Sequence, residues 1–202
     1  MTNSRRSPML LVLLIGVALL VGCSHRSRLM QQAPAGTSYR PESQQSLVIF
    51  VRLPTEYLQY HSSVFDLTPT EDKLVGILSD RTKVAYLTTP GEHTFMLVVM
   101  GHSSDFMKAR LEAGKTYYVL LSPNKEIRRP PVTFAPVKGK DLHSEGVTKW
   151  VEGSAYLENT PASYDWAKTT ASSIQSKKRA ALPDWERQPE AGKSALAPED
   201  GM

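Results

Sequence analysis

The side chains suited to acid–base or metal chemistry are few and far apart in this chain. Its five histidines are His25, His61, His93, His102 and His143. No two of them have the spacing of zinc ligands on one helix, and the HExxH motif is absent, so a metal site would need ligands from distant strands. The sequence therefore predicts neither a metal site nor a metal cofactor.

A nucleophilic triad would draw on His102, Ser103, Ser104 and Asp105, which are residues of the required types. Neighbours along one loop seldom converge on a substrate, and the GxSxG motif is missing. We therefore interpret residues 101–105 as a hairpin loop between two strands.

A glycosidase-like pair of carboxylates would use Asp66 and Glu92, the acids flanked by strand residues. Bonding to a turn, or exposure to solvent, is the simpler interpretation of both. His93 follows Pro90 and Gly91 and begins a strand, so we expect it to hydrogen bond to the turn backbone. The sequence predicts no catalytic residue, and we expect a protein that is not an enzyme.

Cys23 is the single thiol, and it follows a short apolar run. Arg5 and Arg6 precede this run, which is the layout of a secretory signal. From Met9 to Gly22 the run is 14 residues long, whereas crossing a bilayer takes about 20. An ordinary cleavage site of the A-x-A type is also absent.

The residues Leu20, Val21, Gly22 and Cys23 resemble the lipobox of bacterial lipoproteins. The resemblance implies a diacylglycerol thioether on Cys23, cleavage before it and acylation of the new amine. Ser24, which is not aspartate, implies sorting to the outer membrane where the cell has two membranes. Because each buried CH₂ contributes about 0.8 kcal/mol, two or three chains would hold the protein stably on a bilayer, facing the periplasm.

Composition excludes several classes of function for the exported part. Removing Arg5 and Arg6 lowers the formal charge from +4 to +2, which is too near neutral for a nucleic-acid-binding protein. Once Cys23 is acylated, no thiol remains for a disulfide, a nucleophile or a metal ligand. The covalent lipid is thus the only prosthetic group that we expect.

The sequence divides into five segments. A signal peptide occupies 1–22 and a lipidated, disordered tether 23–45, because the latter is polar and lacks a period of 2 or 3.6. A β domain follows at 46–137 and a helical extension at 138–187. The final segment, 188–202, is rich in Pro, Gly, Ala and charge, and we expect it to be flexible.

The β domain consists of short β-branched and aromatic runs between regularly spaced turn signals. They predict strands near 47–52, 62–68, 73–78, 83–88, 93–100, 105–112 and 115–122, with an eighth near 131–137. This pattern is typical of an antiparallel β-sandwich of seven to eight strands. The runs 93–100 and 115–122 are apolar on both faces, so we expect the C-terminal segment to cover the second face.

Two glycine turns are expected to connect these strands. Pro90 and Gly91 suit the central positions of a type II turn between 83–88 and 93–100. Ala113 and Gly114 predict a hairpin between 105–112 and 115–122.

Further on, the sequence Asn159-Thr160-Pro161 and the apolar spacing after it predict a helix over 161–182. Pro183 should end or kink that helix. Lys177, Lys178 and Arg179 would then lie near its C-terminal end and complement the helix dipole.

The β domain also resembles a known family. The runs SSVFDLT, KLVGILSDRTKVAYLTTPGEHTFMLV and DFMKARLEAGKTYYVLLSP are similar to those of bacterial exported proteins and lipoproteins of the domain of unknown function DUF2846. The resemblance covers residues 46–137, and the tail beginning WVEGSAYLENTP resembles an extension found in a subset of these proteins. It implies a small Ig-like or PEGA-like sandwich in the cell envelope, and no established activity.

The three tryptophans, Trp150, Trp166 and Trp185, all lie in the C-terminal extension. They are candidates for contacts with a partner, where Trp is enriched, or for clamping the extension onto the sheet.

Our first hypothesis is a lipid-anchored, non-enzymatic protein-interaction or structural module, which predicts an exposed apolar patch with a polar rim. The alternative is a protein that binds glycan or peptidoglycan, which predicts a concave groove with exposed aromatic and polar side chains. A hydrolase would need a pocket with paired titratable groups.

Overall fold

The computed structural model describes residues 28–55, 61–99, 102, 104–124 and 130–202. Within this part the chain is mainly β, with eleven strands in two mixed sheets and three α-helices. Cys23 and Ser24, the predicted sites of lipidation and sorting, lie outside the described residues, as does His25. The helices of the described part fall short of the length and apolarity needed to cross a bilayer.

The first sheet contains, in spatial order, β1 (Met30–Gln32), β10 (Ala155–Asn159), β5 (Thr82–Thr88), β2 (Ser46–Arg52), β8 (Thr116–Pro123) and β9 (Val132–Pro136). The second contains β11 (Ser194–Leu196), β7 (Asp105–Leu111), β6 (Gly91–Val99), β3 (Ser62–Asp66) and β4 (Lys73–Leu78). The helices are α1 (Glu145–Glu152), α2 (Pro161–Thr169) and α3 (Ala171–Glu186).

The eight strands predicted from the sequence are confirmed as β2 to β9, and the two sheets share one hydrophobic core. Alternate side chains of β2, such as Val48 and Phe50, point into this core. Phe50 meets Phe95 of the other sheet edge to face, with ring centroids 5.2 Å apart, a favoured aromatic geometry. The core therefore lies between the sheets.

The prediction of a purely antiparallel arrangement is wrong, because β2 pairs parallel with β8, β5 with β10 and β7 with β11. The predicted hairpin at Ala113 and Gly114 is also wrong, since β7 and β8 belong to different sheets. Gly114 has φ +75°, and its N–H donates to the carbonyl of Gln45. The turn thus crosses from one sheet to the other and delivers β8 alongside β2.

Pro90 and Gly91 join β5 to β6 as predicted, but these strands also lie in different sheets. Gly91 has φ +125°, a backbone conformation that side chains disfavour. The consecutive strands β6 and β7 pair antiparallel, as the predicted hairpin requires; part of the segment between them lies outside the described residues.

The outer face of each sheet is covered by a segment outside the predicted β domain. Leu47, Ile49 and Val51 of β2 pack against Trp150 of α1 and Tyr39. On the other side, α2 and α3 pack over the second sheet through side chains such as Trp166, Ile174 and Trp185. The expectation that the C-terminal segment covers a sheet face is confirmed.

The predicted single helix is two helices that meet at Thr170. The hydroxyl groups of Thr169 and Thr170 donate to the carbonyl of Trp166 at 3.0 and 2.7 Å, which favours a break because these groups compete with the helical hydrogen bonds. Pro183 lies inside α3 and does not end it. Burial of Trp185 offsets the proline, because a buried Trp contributes about 3–5 kcal/mol and an interior proline costs about 3 kcal/mol.

Two segments that the sequence predicts to be loose take part in the sheets. Met30 of β1 is buried, and β1 forms the edge of the first sheet against β10. Leu196 of β11 is likewise buried beside β7. Composition alone predicts a disordered tether and a flexible tail. It does not reveal that the edge of a distant strand is free to pair with each of them.

Candidate functional site

A groove of about 860 Å³ lies between the β3–β4 connection and the helices α2 and α3. Its apolar wall includes Phe65, Leu74 and Ile174, which are buried. Polar side chains from the connection and from both helices line the rest of it. The groove thus lies where α2 and α3 meet beside the β3–β4 connection.

Tyr164 stands on the wall of this groove with 46% of its surface exposed. It lies one turn into α2, whose start is set by Thr160: the hydroxyl of Thr160 accepts from the N–H of Ser163, and the hydroxyl of Ser163 accepts from the N–H of Thr160. This reciprocal cap satisfies two backbone donors and fixes the helix start. The start of α2 thus places an exposed aromatic ring beside a concave surface.

Asp72 organises the polar part of the groove. Its Oδ1 accepts a hydrogen bond from Lys178 Nζ at 2.7 Å, and its Oδ2 accepts one from Gln175 Nε2 at 2.7 Å. The carboxylate side chain is 10% exposed and that of Lys178 is 23% exposed. These contacts hold the β3–β4 connection against α3 and leave polar atoms of both elements in the groove.

A second cluster of titratable groups lies between the sheets. Asp66 is fully buried; its Oδ2 accepts from Tyr86 Oη at 2.9 Å and lies 3.0 Å from His93 Nδ1. Its Oδ1 accepts from the N–H of Thr68 at 2.9 Å. The expectation that Asp66 bonds to a turn is confirmed.

His93 lies between two acceptors, since its Nε2 is 2.9 Å from the carbonyl oxygen of Thr89. The expected bond from His93 to the turn backbone is thus confirmed. Neither acceptor can donate, so both ring nitrogens carry protons in this geometry. Burial opposes the charged ring, but the hydrogen bonds with Asp66 and Thr89 outweigh it and raise the pKa of His93.

The other two groups of this cluster shift in the directions that their partners impose. Burial acts to raise the pKa of Asp66, but hydrogen bonds from His93, Thr68 and Tyr86 outweigh it, and the pKa is lowered. Burial and the negative charge of Asp66 raise the pKa of Tyr86. The cluster therefore holds an ion pair with a neutral phenol, and its polar atoms are directed at one another.

The candidate carboxylate pair does not converge. Asp66 points between the sheets, whereas Glu92 precedes the inward His93 on β6 and so faces the opposite side. Glu92 is exposed.

The loop residues of the triad pattern are also placed for structural contacts. Asp105 Oδ2 accepts from the N–H of Phe134 at 2.8 Å, the carbonyl of His102 accepts from Lys177 Nζ at 2.7 Å, and Ser104 is buried. Ser103 lies outside the described residues. No group of three or more potential metal ligands occurs in the described part of the chain.

The three tryptophans contact the sheets. Trp185 is 7% exposed and meets Phe106 with ring centroids 5.5 Å apart. The ring centroids of Trp166 and Phe65 are 6.5 Å apart, and Trp150 packs against the outer face of the first sheet. These contacts fit the clamping interpretation, and Trp185 offers little surface to a partner.

Lys177 and Lys178 have roles that the sequence does not reveal. They lie in the middle of α3, which runs to Glu186, so the prediction that they complement a helix end is wrong. No sequence motif pointed to Asp72 or Gln175 as site residues. Tyr164 entered the sequence analysis only as one of the apolar residues at helical spacing. The groove is formed by residues about 100 positions apart, which local patterns do not register.

No family model matches the chain, and no curated protein matches it.

Proposed function

We propose that this protein is a lipid-anchored component of the bacterial cell envelope that binds a glycan chain in the groove beside Tyr164, without catalysis. The observation that carries the ligand class is the pairing of an exposed aromatic ring, Tyr164, with the polar side chains of Asp72, Gln175 and Lys178 along one concave surface. Specific sites for small polar ligands combine an apolar wall with a few well-placed polar groups.

The lipid anchor rests on the sequence, in which an apolar run too short to span a bilayer ends at the single cysteine, Cys23. Its resemblance to a lipobox supports acylation there, and Ser24 supports sorting to the outer membrane. The Cys23→Ser variant, expressed in bacteria and fractionated, should leave the membrane fraction. Unchanged sedimentation with the membranes would contradict the anchor.

We further propose that the two sheets form a sandwich of the kind expected for DUF2846 and PEGA-like domains, with the C-terminal helices as its extension. The common core between the sheets supports this assignment. The parallel pair β2–β8 is a departure from a simple antiparallel sandwich.

The glycan hypothesis is favoured over a protein-interaction or structural role by the surface of the described residues. There, the large hydrophobic side chains that are well exposed are Leu87, Tyr164 and Met202. A stable protein interface would call for a contiguous apolar patch, whereas the groove supplies what a glycan site requires.

The absence of catalysis is supported by the Asp66–His93 cluster. A general base needs an imidazole nitrogen free to take a proton from substrate or water. Both nitrogens of His93 are engaged with protein acceptors, and the carboxylate of Asp66 is fully buried.

The experiment is a titration of the purified protein, followed by NMR or calorimetry, with soluble fragments of peptidoglycan glycan strands. We expect Tyr164→Ala to weaken binding about tenfold, which corresponds to about 1.4 kcal/mol. Leu87→Ala is the matched control, because Leu87 is also an exposed large hydrophobic residue but lies on β5, outside the groove lining. No binding by the natural protein, or an equal loss in both variants, would contradict the proposal.

A further inference from the structure

The distance between the predicted lipid and the folded body is short. Contacts fix the chain from Leu29 onward: the carbonyl of Leu29 accepts from the hydroxyl of Thr160 at 2.7 Å, and β1 follows at Met30. From Cys23 to Leu29 is only six residues, which reach about 20 Å even when fully extended. A polar tether of the full 23–45 segment would have reached much farther.

The β1 edge is firmly attached to the rest of the molecule. Met30 pairs with Asn159 and is 8% exposed within the main core. Gln31 Nε2 donates to Glu158 Oε2 at 3.1 Å, and the N–H of Ala33 donates to the carbonyl of Tyr156 at 3.0 Å. Because the core holds this strand, β1 does not lengthen the tether. Its position decides which side of the folded body can face the bilayer.

We propose that the edge formed by the start of β1, the end of β10 and the first turn of α2 lies against the lipid headgroups, and that the short tether imposes this orientation. The proposal rests on acylation of Cys23, which is part of the proposed function. A globular chain of this length is about 40 Å across, twice the reach of the tether. The strand order places β9 and β11 at the opposite end of the sheets from β1 and β4, so that side faces away from the membrane.

The surface at this edge suits a headgroup layer. Arg28, Pro161 and Ala162 are exposed there, whereas the Tyr164 ring lies on the groove side of this edge. The exposed charges of Arg28 and Asp165 have opposite signs. Because the tether and not net charge sets the orientation, it should persist at high salt. In this orientation one wall of the groove lies on the membrane side. The glycan that we propose as its ligand would therefore be one that lies close to the bilayer surface.

The test uses the full-length, acylated protein in vesicles of zwitterionic and anionic phospholipid that carry a nitroxide quencher at the headgroup. A fluorophore is attached at Ala162→Cys or, as the matched control, at Ala191→Cys. Both alanines are exposed, and Ala191 precedes β11 on the opposite side. Because the only natural cysteine, Cys23, is acylated, each label is unique.

We expect quenching to be several-fold stronger at position 162 than at 191, at low and at high salt. A Gly/Ser segment of about 20 residues inserted before Arg28 adds roughly 25 Å of flexible reach and should reduce this difference. Equal quenching at both positions in the natural chain, or a difference that the insertion leaves unchanged, would overturn the orientation. The Cys23→Ser variant tests the anchor separately. If this variant, which has no lipid, still binds the same vesicles, the lipid is not what holds the protein on the membrane.

Discussion

At the scale of single residues, His93 couples the stability of the fold to pH. Its ring lies between the carboxylate of Asp66 and the carbonyl of Thr89, and its pKa is raised. A raised pKa means that the folded state binds the proton more tightly than the unfolded state. The stabilisation is therefore fully present below about pH 6.5, the pKa of an unperturbed histidine, and is lost as pH rises through the raised pKa.

We predict that the free energy of unfolding falls as pH rises above about 6.5 and through the raised pKa of His93, as measured by urea denaturation at each pH. The His93→Gln variant should be less stable at pH 6 and should lack most of this slope, because glutamine does not titrate. If the free energy of unfolding of this variant depended on pH as steeply as that of the natural protein, the pH dependence would belong to another group.

The pH dependence that Asp66 contributes to stability has the opposite sign to that of His93. Its pKa is lowered, so its contribution is present above about pH 3.9 and is lost as pH falls through the lowered value. The ion pair with His93 thus stabilises the fold most between the two ranges, in mildly acidic solution.

At the scale of elements, Trp185 attaches α3 to the second sheet. It is 7% exposed, and its ring packs on Phe106 of β7. We predict that Trp185→Ala costs about 3–5 kcal/mol of stability, because it removes a large buried side chain and leaves a cavity. The measurement is the urea midpoint and slope of the purified protein.

Tyr164→Ala is the control for this change. Tyr164 is also an aromatic residue of the C-terminal helices but is 46% exposed, so its removal should change stability by no more than about 0.5 kcal/mol. If Trp185→Ala were as mild, Trp185 would be available to a partner and the clamping interpretation would fail.

At the scale of the whole molecule, the last fifteen residues close the structure. β11 pairs with β7, and Asp200 Oδ2 accepts from Lys138 Nζ at 2.9 Å while its Oδ1 accepts from the N–H of Gly139 at 3.1 Å. The backbone of Met202 exchanges two hydrogen bonds with Thr116, at 2.8 and 3.1 Å. The C-terminus is therefore tied to both sheets.

We predict that deletion of residues 188–202 lowers the stability by at least about 3 kcal/mol, since it removes the burial of Leu196 and several hydrogen bonds. Thermal unfolding should show a loss of roughly 6–12 °C for a chain of this size. Met202→Ala is the control, because the side chain is 59% exposed and the contacts are made by the backbone. An unchanged melting temperature after the deletion would restore the view of a flexible tail.

Prediction from the sequence succeeded where the pattern is local. The alternation in Phe106 to Leu111 and the turn residues around Gly91 were enough to place eight strands within one or two residues of their observed ends. It failed for β1, β10 and β11, because each is stabilised by a partner strand distant in the chain. The groove was missed for the same reason, since Asp72 and Gln175 meet only after α3 has packed.

By itself, the sequence determined that the chain is mainly β, where its turns lie, and that a short apolar run leads to the one cysteine, because these properties depend on neighbouring residues. Only the tertiary structure decided that β7 and β8 lie in different sheets, that β1 and β11 join the sheet edges, and that Tyr164 stands beside a groove. Those outcomes depend on which strand edges and apolar faces are left uncovered by neighbouring residues. Segments distant in the chain then cover them, and a local sequence pattern does not contain that information.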